Sequence, residues 1–234
     1  MTKIKNEVRY FTFPIGILKR AFVDINKACD NAMEYACYVK YAEVEDIKEV
    51  ENYFQLTFAN KEATLKDGKA LFDKYGKNCT MVSVNGAIVF EFYKNPKTEF
   101  EIATFLAFCG LRSILGTKTY TKTNNEHLIA RMAGYGTYRE FEEAAVNNYF
   151  ENFSTPQKIR YQLTERIIRQ ELGFSWGLEY YSSQSRGFCF SFVIPHDKLV
   201  EAVEKSKKSY KLKEKKTSEK ETIRAVKKRL GICG

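Results

Sequence analysis

The chain has one tryptophan, four prolines and two histidines, and its six cysteines form no CxxC pair. Each scarcity removes a class of function. The histidines, His127 and His196, are far apart in sequence and both stand at starts of expected helices, which leaves little for a His-based acid–base or metal site. A Cys–His nucleophile would have to be assembled by the fold from Cys109 or Cys189, and no spacing suggests one. HxxxH, DxD, Walker and G-x-G-x-x-G patterns are all absent. The reading is therefore of a protein that is not an enzyme and uses no metal and no cofactor. No run reaches ~18 uninterrupted apolar residues and the N-terminus MTKIKNEVRY has no apolar core, so neither a membrane span nor a secretory leader is expected. Scattered cysteines in apolar runs fit reduced, buried thiols and a cytoplasmic location.

What the chain does have is apolar and aromatic mass, 44% and 15% of its 234 residues, with 15 Tyr and 18 Phe. That is ample for a core and excludes a disordered composition. The formal charge is +9. Residues 205–229 hold twelve Lys/Arg against three Asp/Glu, so this stretch carries the whole excess. The remaining 26 basic and 26 acidic residues cancel. The high pI belongs to a tail and not to the whole surface.

Residues 1–96 read as a helical region. Residues 3–13 alternate loosely as a strand or arm, and Pro14 stands where a first helical turn accepts it. Apolar stripes follow through Ile15, Leu18, Phe22 and Ile25, then Ala28 to Val39, then Ile47, Val50 and Phe54, then Leu65 to Phe72. Residues 79–93 are β-branched and aromatic, and Asn85-Gly86 is the dipeptide of a type I′ turn, so a β-hairpin is expected there.

Residues 97–200 carry the most informative order. An apolar helix runs from Thr98 to a Gly116 cap. A polar, basic loop follows, and Thr123 stands three residues before Glu126 in capping-box spacing at the start of a second helix. Gly134 and Gly136 end it, and another helix is expected in residues 138–153. Thr155-Pro156 then opens a third helix to Leu172. On it Lys158, Gln162, Glu165, Arg166 and Arg169 share one face about 100° wide. Arg and Gln are the side chains that bind guanine and adenine edges bidentately, while Lys reaches phosphate as a point charge. The bland alternative is a solvated helix face. Two strands around residues 182–187 follow at once, with Arg186 in the expected turn among serines. Lys118 and Lys122 sit in the loop before the second helix, where free N–H groups and a dipole favour phosphate. Arg131 is a lesser member of the set.

This order resembles a winged helix-turn-helix over residues 98–195. Roughly twenty residues separate the second and third helices, where a compact helix-turn-helix has three or four. The whole build resembles proteins of phages and plasmids that regulate transcription or initiate replication. The resemblance implies an α+β, mostly helical fold with a winged helix in the C-terminal half, an N-terminal helical region carrying a β-hairpin, and a basic helical tail over residues 201–234. It implies double-stranded DNA as partner, with Lys158, Gln162, Arg166 and Arg169 in or along the major groove. Arg186 would anchor the wing, Lys118 and Lys122 would hold the backbone, and the tail would add salt-sensitive affinity. A homodimer reading a two-fold site, joined through the N-terminal helices, is compatible with it. Two rivals stay open. One is a protein-binding module that inhibits or recruits a host factor through the same surface, favoured by the neutral balance outside the tail. The other is an RNA-binding protein that stacks bases on Tyr180 and Tyr181.

Overall fold

The computed structural model describes residues 9–76, 79–94, 97–144, 177–182 and 186–229. The fold is α+β, mostly helical with small antiparallel sheets. The chain divides into two compact units, residues 1–118 with 123–172, and residues 119–122 with 173–234. This division runs through the 97–200 stretch, so its first two helices and its hairpin fall in different units.

The first unit begins with β1 (Tyr10–Pro14), a 3-10 turn (Ile15–Leu18) and helix α1 (Ile25–Val44). The spacing of Ile15, Leu18, Phe22 and Ile25 predicts one helix, but the chain breaks at Arg20, whose φ is 67°. α1 starts afresh from Asp24, whose carboxylate accepts the Lys27 N–H at 2.9 Å. Helix α2 (Ile47–Phe54) buries Val50 and Phe54, as its stripe predicts. Helix α3 (Lys61–Tyr75) begins earlier than its apolar stripe, because the Asn60 side chain caps it at the Ala63 N–H. Glu51 fixes the intervening loop, accepting from the Phe58 N–H at 3.1 Å and the Lys61 ammonium at 2.8 Å. α1 and α3 approach closely at Gly68, where an added Cβ would lie 2.3 Å from the Glu34 carbonyl oxygen. Nothing larger than hydrogen fits there.

The expected hairpin at residues 79–93 is corrected. Only its first arm is a strand, β2 (Met81–Asn85), and the second is helix α4 (Gly86–Lys94). The strand's partner is β1, in an antiparallel register that sets Phe11 opposite Val84 and Phe13 opposite Val82. Thr12 and Ser83, 71 positions apart in the chain, meet hydroxyl to hydroxyl at 2.7 Å. With its edge already paired, β2 has no need of a local return strand. Asn85 instead accepts the Ala87 N–H at 2.9 Å, an Asx turn that starts a helix, while the Gly86 N–H donates to the Arg9 carbonyl. A short apolar run such as AIVFEFY fits either period, and the cap decides. Phe11 stacks on Phe54 at 4.8 Å and meets the Phe90 ring edge-on at 5.7 Å, which ties the sheet to α2 and α4.

Helix α5 (Glu99–Leu115) is the apolar helix expected, buried along nearly its whole length and opened by a full capping box between Thr98 and Glu101. Gly116, at φ 57°, ends it. Helix α6 (Asn125–Met132) packs on α5. Its cap lies one residue beyond the expected Thr123: the Asn124 side chain accepts the His127 N–H at 2.8 Å. Thr123 is taken up as the buried last residue of strand β3 (Thr121–Thr123). Helix α7 (Tyr138–Glu143) covers the start of the expected 138–153 helix.

The second unit holds a three-stranded sheet in the order β3-β5-β4, where β4 (Gly177–Ser182) and β5 (Arg186–Ser191) form the expected hairpin. Their register runs from Gly177 opposite Ser191 to Ser182 opposite Arg186. β5 is the central strand, and Phe188, Cys189, Phe190 and Ser191 are all buried, so both of its faces are covered. Burying each phenylalanine contributes about 1.5–3 kcal/mol. Alternation predicts that this strand runs on to Ile194, yet it stops at Ser191. The Ser191 hydroxyl donates to the Thr119 carbonyl at 2.6 Å and accepts the Val193 and Ile194 N–H groups at 3.0 and 2.9 Å. The chain turns there and enters helix α8 (His196–Arg229). Leu199 and Val203 pack with Cys189, Tyr120 and Ile194.

Replacing Ser191 by Ala removes the hydroxyl that partners the Thr119 carbonyl and the Val193 and Ile194 N–H groups, all three bonds being part-buried. Urea denaturation of Ser191→Ala is expected to show a loss of about 1–3 kcal/mol, while Ser83→Ala, which removes only an exposed hydroxyl contact, stays near zero.

Candidate nucleic-acid interface

The structure places the sequence-derived residues unevenly. Lys158, Gln162, Arg166 and Arg169 lie outside the described residues. Lys122 is an exposed residue in the middle of β3, and Arg186 opens β5 opposite Ser182, so the two stand on neighbouring strands of one sheet. Arg186 is therefore a strand residue at the base of the hairpin tip. Lys118 belongs to the first unit, exposed just past the α5 cap, with its N–H donating to the Leu115 carbonyl at 3.1 Å. Tyr180 and Tyr181 lie in β4, opposite Phe188 and Gly187.

The loop expected between the first two helices is partly a strand, which changes what it can bind. At the start of α6 the Asn124 side chain already satisfies one backbone donor, the His127 N–H. Residues 118–122 carry two exposed lysines, Lys118 and Lys122.

Arg131 does not face outward as a groove contact would. Its Nε donates to His127 Nε2 at 3.1 Å, and its Nη1 is buried with no hydrogen-bond partner among the described residues. The contact fixes the tautomer of His127: Nε2 must be bare, so Nδ1 carries the proton and points to the Thr123 hydroxyl at 3.5 Å. Burial, and then the adjacent Arg131 charge, hold the His127 pKa below its ordinary 6.5. Burial also lowers that of Arg131, partly countered by Glu140. The pair is an internal strut of α6.

The thiols are equally internal. Burial pushes Cys29 and Cys37 up to about 12 and Cys109 well above 9.0. All three are protonated at neutral pH. Among the described residues no cluster of His, Cys, Asp and Glu could hold a metal ion, and no helix is long and apolar enough to cross a membrane.

Sequence reading passes over one group of cations altogether. Lys19, Arg20 and Lys74 are scattered over the first 75 residues with no motif among them, and only the folded chain collects them. A basic residue forced into a left-handed backbone, as Arg20 is, leaves no trace in composition or periodicity.

Comparisons of the chain with protein-family models, with curated proteins and with solved structures find no match.

The His127–Arg131 contact generates a pH dependence. A histidine whose folded pKa lies below its unfolded value binds fewer protons when folded, so its contribution is present above pH 6.5 and is lost as pH falls through the lowered folded value. Histidine NMR titration is expected to place His127 below 6.5, and His127→Gln, which still offers Arg131 an acceptor, should flatten the fall in stability on the acid side of that value.

Proposed function

We propose that the chain is a DNA-binding protein that works through a winged helix, of the kind mobile elements use to regulate transcription or begin replication. The observation that carries this reading is the strand order β3-β5-β4. A winged helix needs a short strand between its first two helices to pair with a hairpin that follows its third helix. Here β3 falls between α5 and α6, and its neighbour is the second arm of the hairpin. That pairing joins positions some sixty residues apart and is not a by-product of local turn chemistry.

Under this reading residues 155–172, directly before β4, present Lys158, Gln162, Arg166 and Arg169 to the major groove. Arg and Gln read base edges, and Lys contacts phosphate. Arg186 and Lys122 approach the backbone from the hairpin sheet, and Lys118 from the end of α5. Helix α8 supplies the sequence-independent part. Its 34 residues span about 50 Å at 1.5 Å each, its first turns are tied to the sheet through Leu199 and Val203, and residues 216–224 are exposed. Its Lys and Arg residues would exchange counterions with a phosphate backbone, giving affinity that falls steeply with salt.

A second reading is favoured by the 26 basic and 26 acidic residues that balance outside residues 205–229. In it the same surface takes a protein partner.

The two readings separate in one experiment on the full chain. Fluorescence anisotropy on duplexes enriched by selection should show that Arg166→Glu with Arg169→Glu lowers affinity at least about thirtyfold, since each good base contact is worth about 1–3 kcal/mol. Unchanged affinity, together with loss of a captured protein partner, would put the protein-binding reading in its place.

A further inference from the structure

The fold of the first unit gathers a set of cations that no motif announces, around the 3-10 turn Ile15–Leu18. Gly16 stands at the centre. A Cβ added to it would lie 3.0 Å from the Tyr75 ring and 3.9 Å from the Gly134 carbonyl oxygen, so the end of α3 and the turn after α6 both abut this short turn. Gly134, at φ 82°, is pressed closer still: a Cβ there would lie 2.8 Å from the Lys19 amide nitrogen. Three distant pieces of chain thus meet within one small area, and each carries a basic or aromatic side chain.

The side chains are ordered by one another. The Lys19 ammonium sits 4.2 Å from the centre of the Tyr135 ring, and the Lys74 ammonium 4.9 Å from that of Tyr75. A ring face attracts a cation but accepts no full hydrogen bond, so each ammonium is positioned while its three donors stay available. Arg20 completes the set. Its left-handed backbone costs about 1–3 kcal/mol, and it is held there by its own carbonyl, which accepts from the Val23 and Asp24 N–H groups at 2.9 and 3.1 Å. All three cations are exposed, and among the described residues none has an ion pair.

The neighbouring acids are occupied elsewhere. The Asp24 carboxylate caps α1, Asp73 pairs with Lys69 at 2.8 Å, and Glu140 accepts the Gly136 N–H at 3.1 Å. Exposed cations without an ion pair among the described residues, two of them positioned over aromatic rings, suit an anion from outside.

We infer that Lys19, Arg20 and Lys74, around the 3-10 turn, form a second nucleic-acid contact that grips the phosphodiester backbone of duplex DNA. The ligand is the backbone rather than the bases, because the Tyr75 and Tyr135 faces already carry ammonium groups and are not free as stacking platforms. Such a contact carries no sequence information and adds affinity and register. Its choice of ligand rests on the proposed DNA-binding reading, and it uses none of the residues which that reading assigns to the hairpin or to 155–172.

The test compares the full chain with Lys19→Gln/Arg20→Gln/Lys74→Gln on a short duplex of arbitrary sequence, titrated across salt concentrations. Three lost phosphate contacts should make the slope of log K against log salt shallower by about 2–3, with an unchanged melting temperature. If the triple variant is unstable, Lys74→Gln alone, at an exposed helical position, should change the slope by about 0.9. Arg166→Glu/Arg169→Glu, measured in parallel, reports on the hairpin reading separately. An unchanged slope in a folded variant overturns the inference. So does a loss confined to single-stranded RNA, or a wild-type chain that binds no duplex at all.

Discussion

The hydroxyl of Ser191 holds three backbone groups at once, and the second unit is arranged around it. A serine hydroxyl has one proton to give and two lone pairs to share. Here all three are spent, on the Thr119 carbonyl and on the Val193 and Ile194 N–H groups, in a residue with no exposed surface. The donated bond fixes the chain just ahead of β3. The two accepted bonds end β5 and turn the chain toward α8. The packing of Cys189 depends on that turn, because a strand continued to Ile194 would carry α8 away from the position in which Leu199 and Val203 meet Cys189.

The first unit depends on a different constraint, the pairing of strands that begin some seventy residues apart. β1 and β2 bury Phe11, Phe13, Val82 and Val84 on one face and leave Tyr10, Thr12 and Met81 on the other. Once β1 occupies β2, the Asn85-Gly86 dipeptide is free to cap a helix. The 3-10 turn that follows β1 is then the point at which α3 and the end of α6 converge, and Lys19, Arg20 and Lys74 stand on the segments around it.

Much of this architecture is legible in the chain. The buried α5, its Thr98 and Gly116 ends, the stripe of α2 and the hairpin of β4 and β5 all follow from periodicity and cap chemistry. Two of the errors share one cause. Asn85-Gly86 reads as a hairpin turn because a local rule sees no strand seventy residues away. Thr123 reads as a cap because the same rule sees no sheet that would claim it for β3. The helix expected through Ile15 to Ile25 fails at Arg20, whose left-handed backbone propensity disfavours and whose carbonyl accepts instead from the Val23 and Asp24 N–H groups of a local turn. Of the candidate site, Lys118 and Lys122 were legible as exposed cations and Arg186 as a hairpin residue. Lys158, Gln162, Arg166 and Arg169 lie outside the described residues. The Lys19, Arg20 and Lys74 cluster was not legible at all, since it exists only once three distant segments are brought together.

β3, a three-residue strand set between two helices, pairs with the central strand of the hairpin. NMR of the full chain tests this pairing most directly, through nuclear Overhauser contacts between residues 121–123 and 186–191 and the exchange rates of their amides. Cross-strand contacts are expected, with amides in β3 that exchange slowly, as those of a paired strand do. Amides at residues 121–123 that exchange as freely as a surface loop, with no contact to β5, would contradict the pairing.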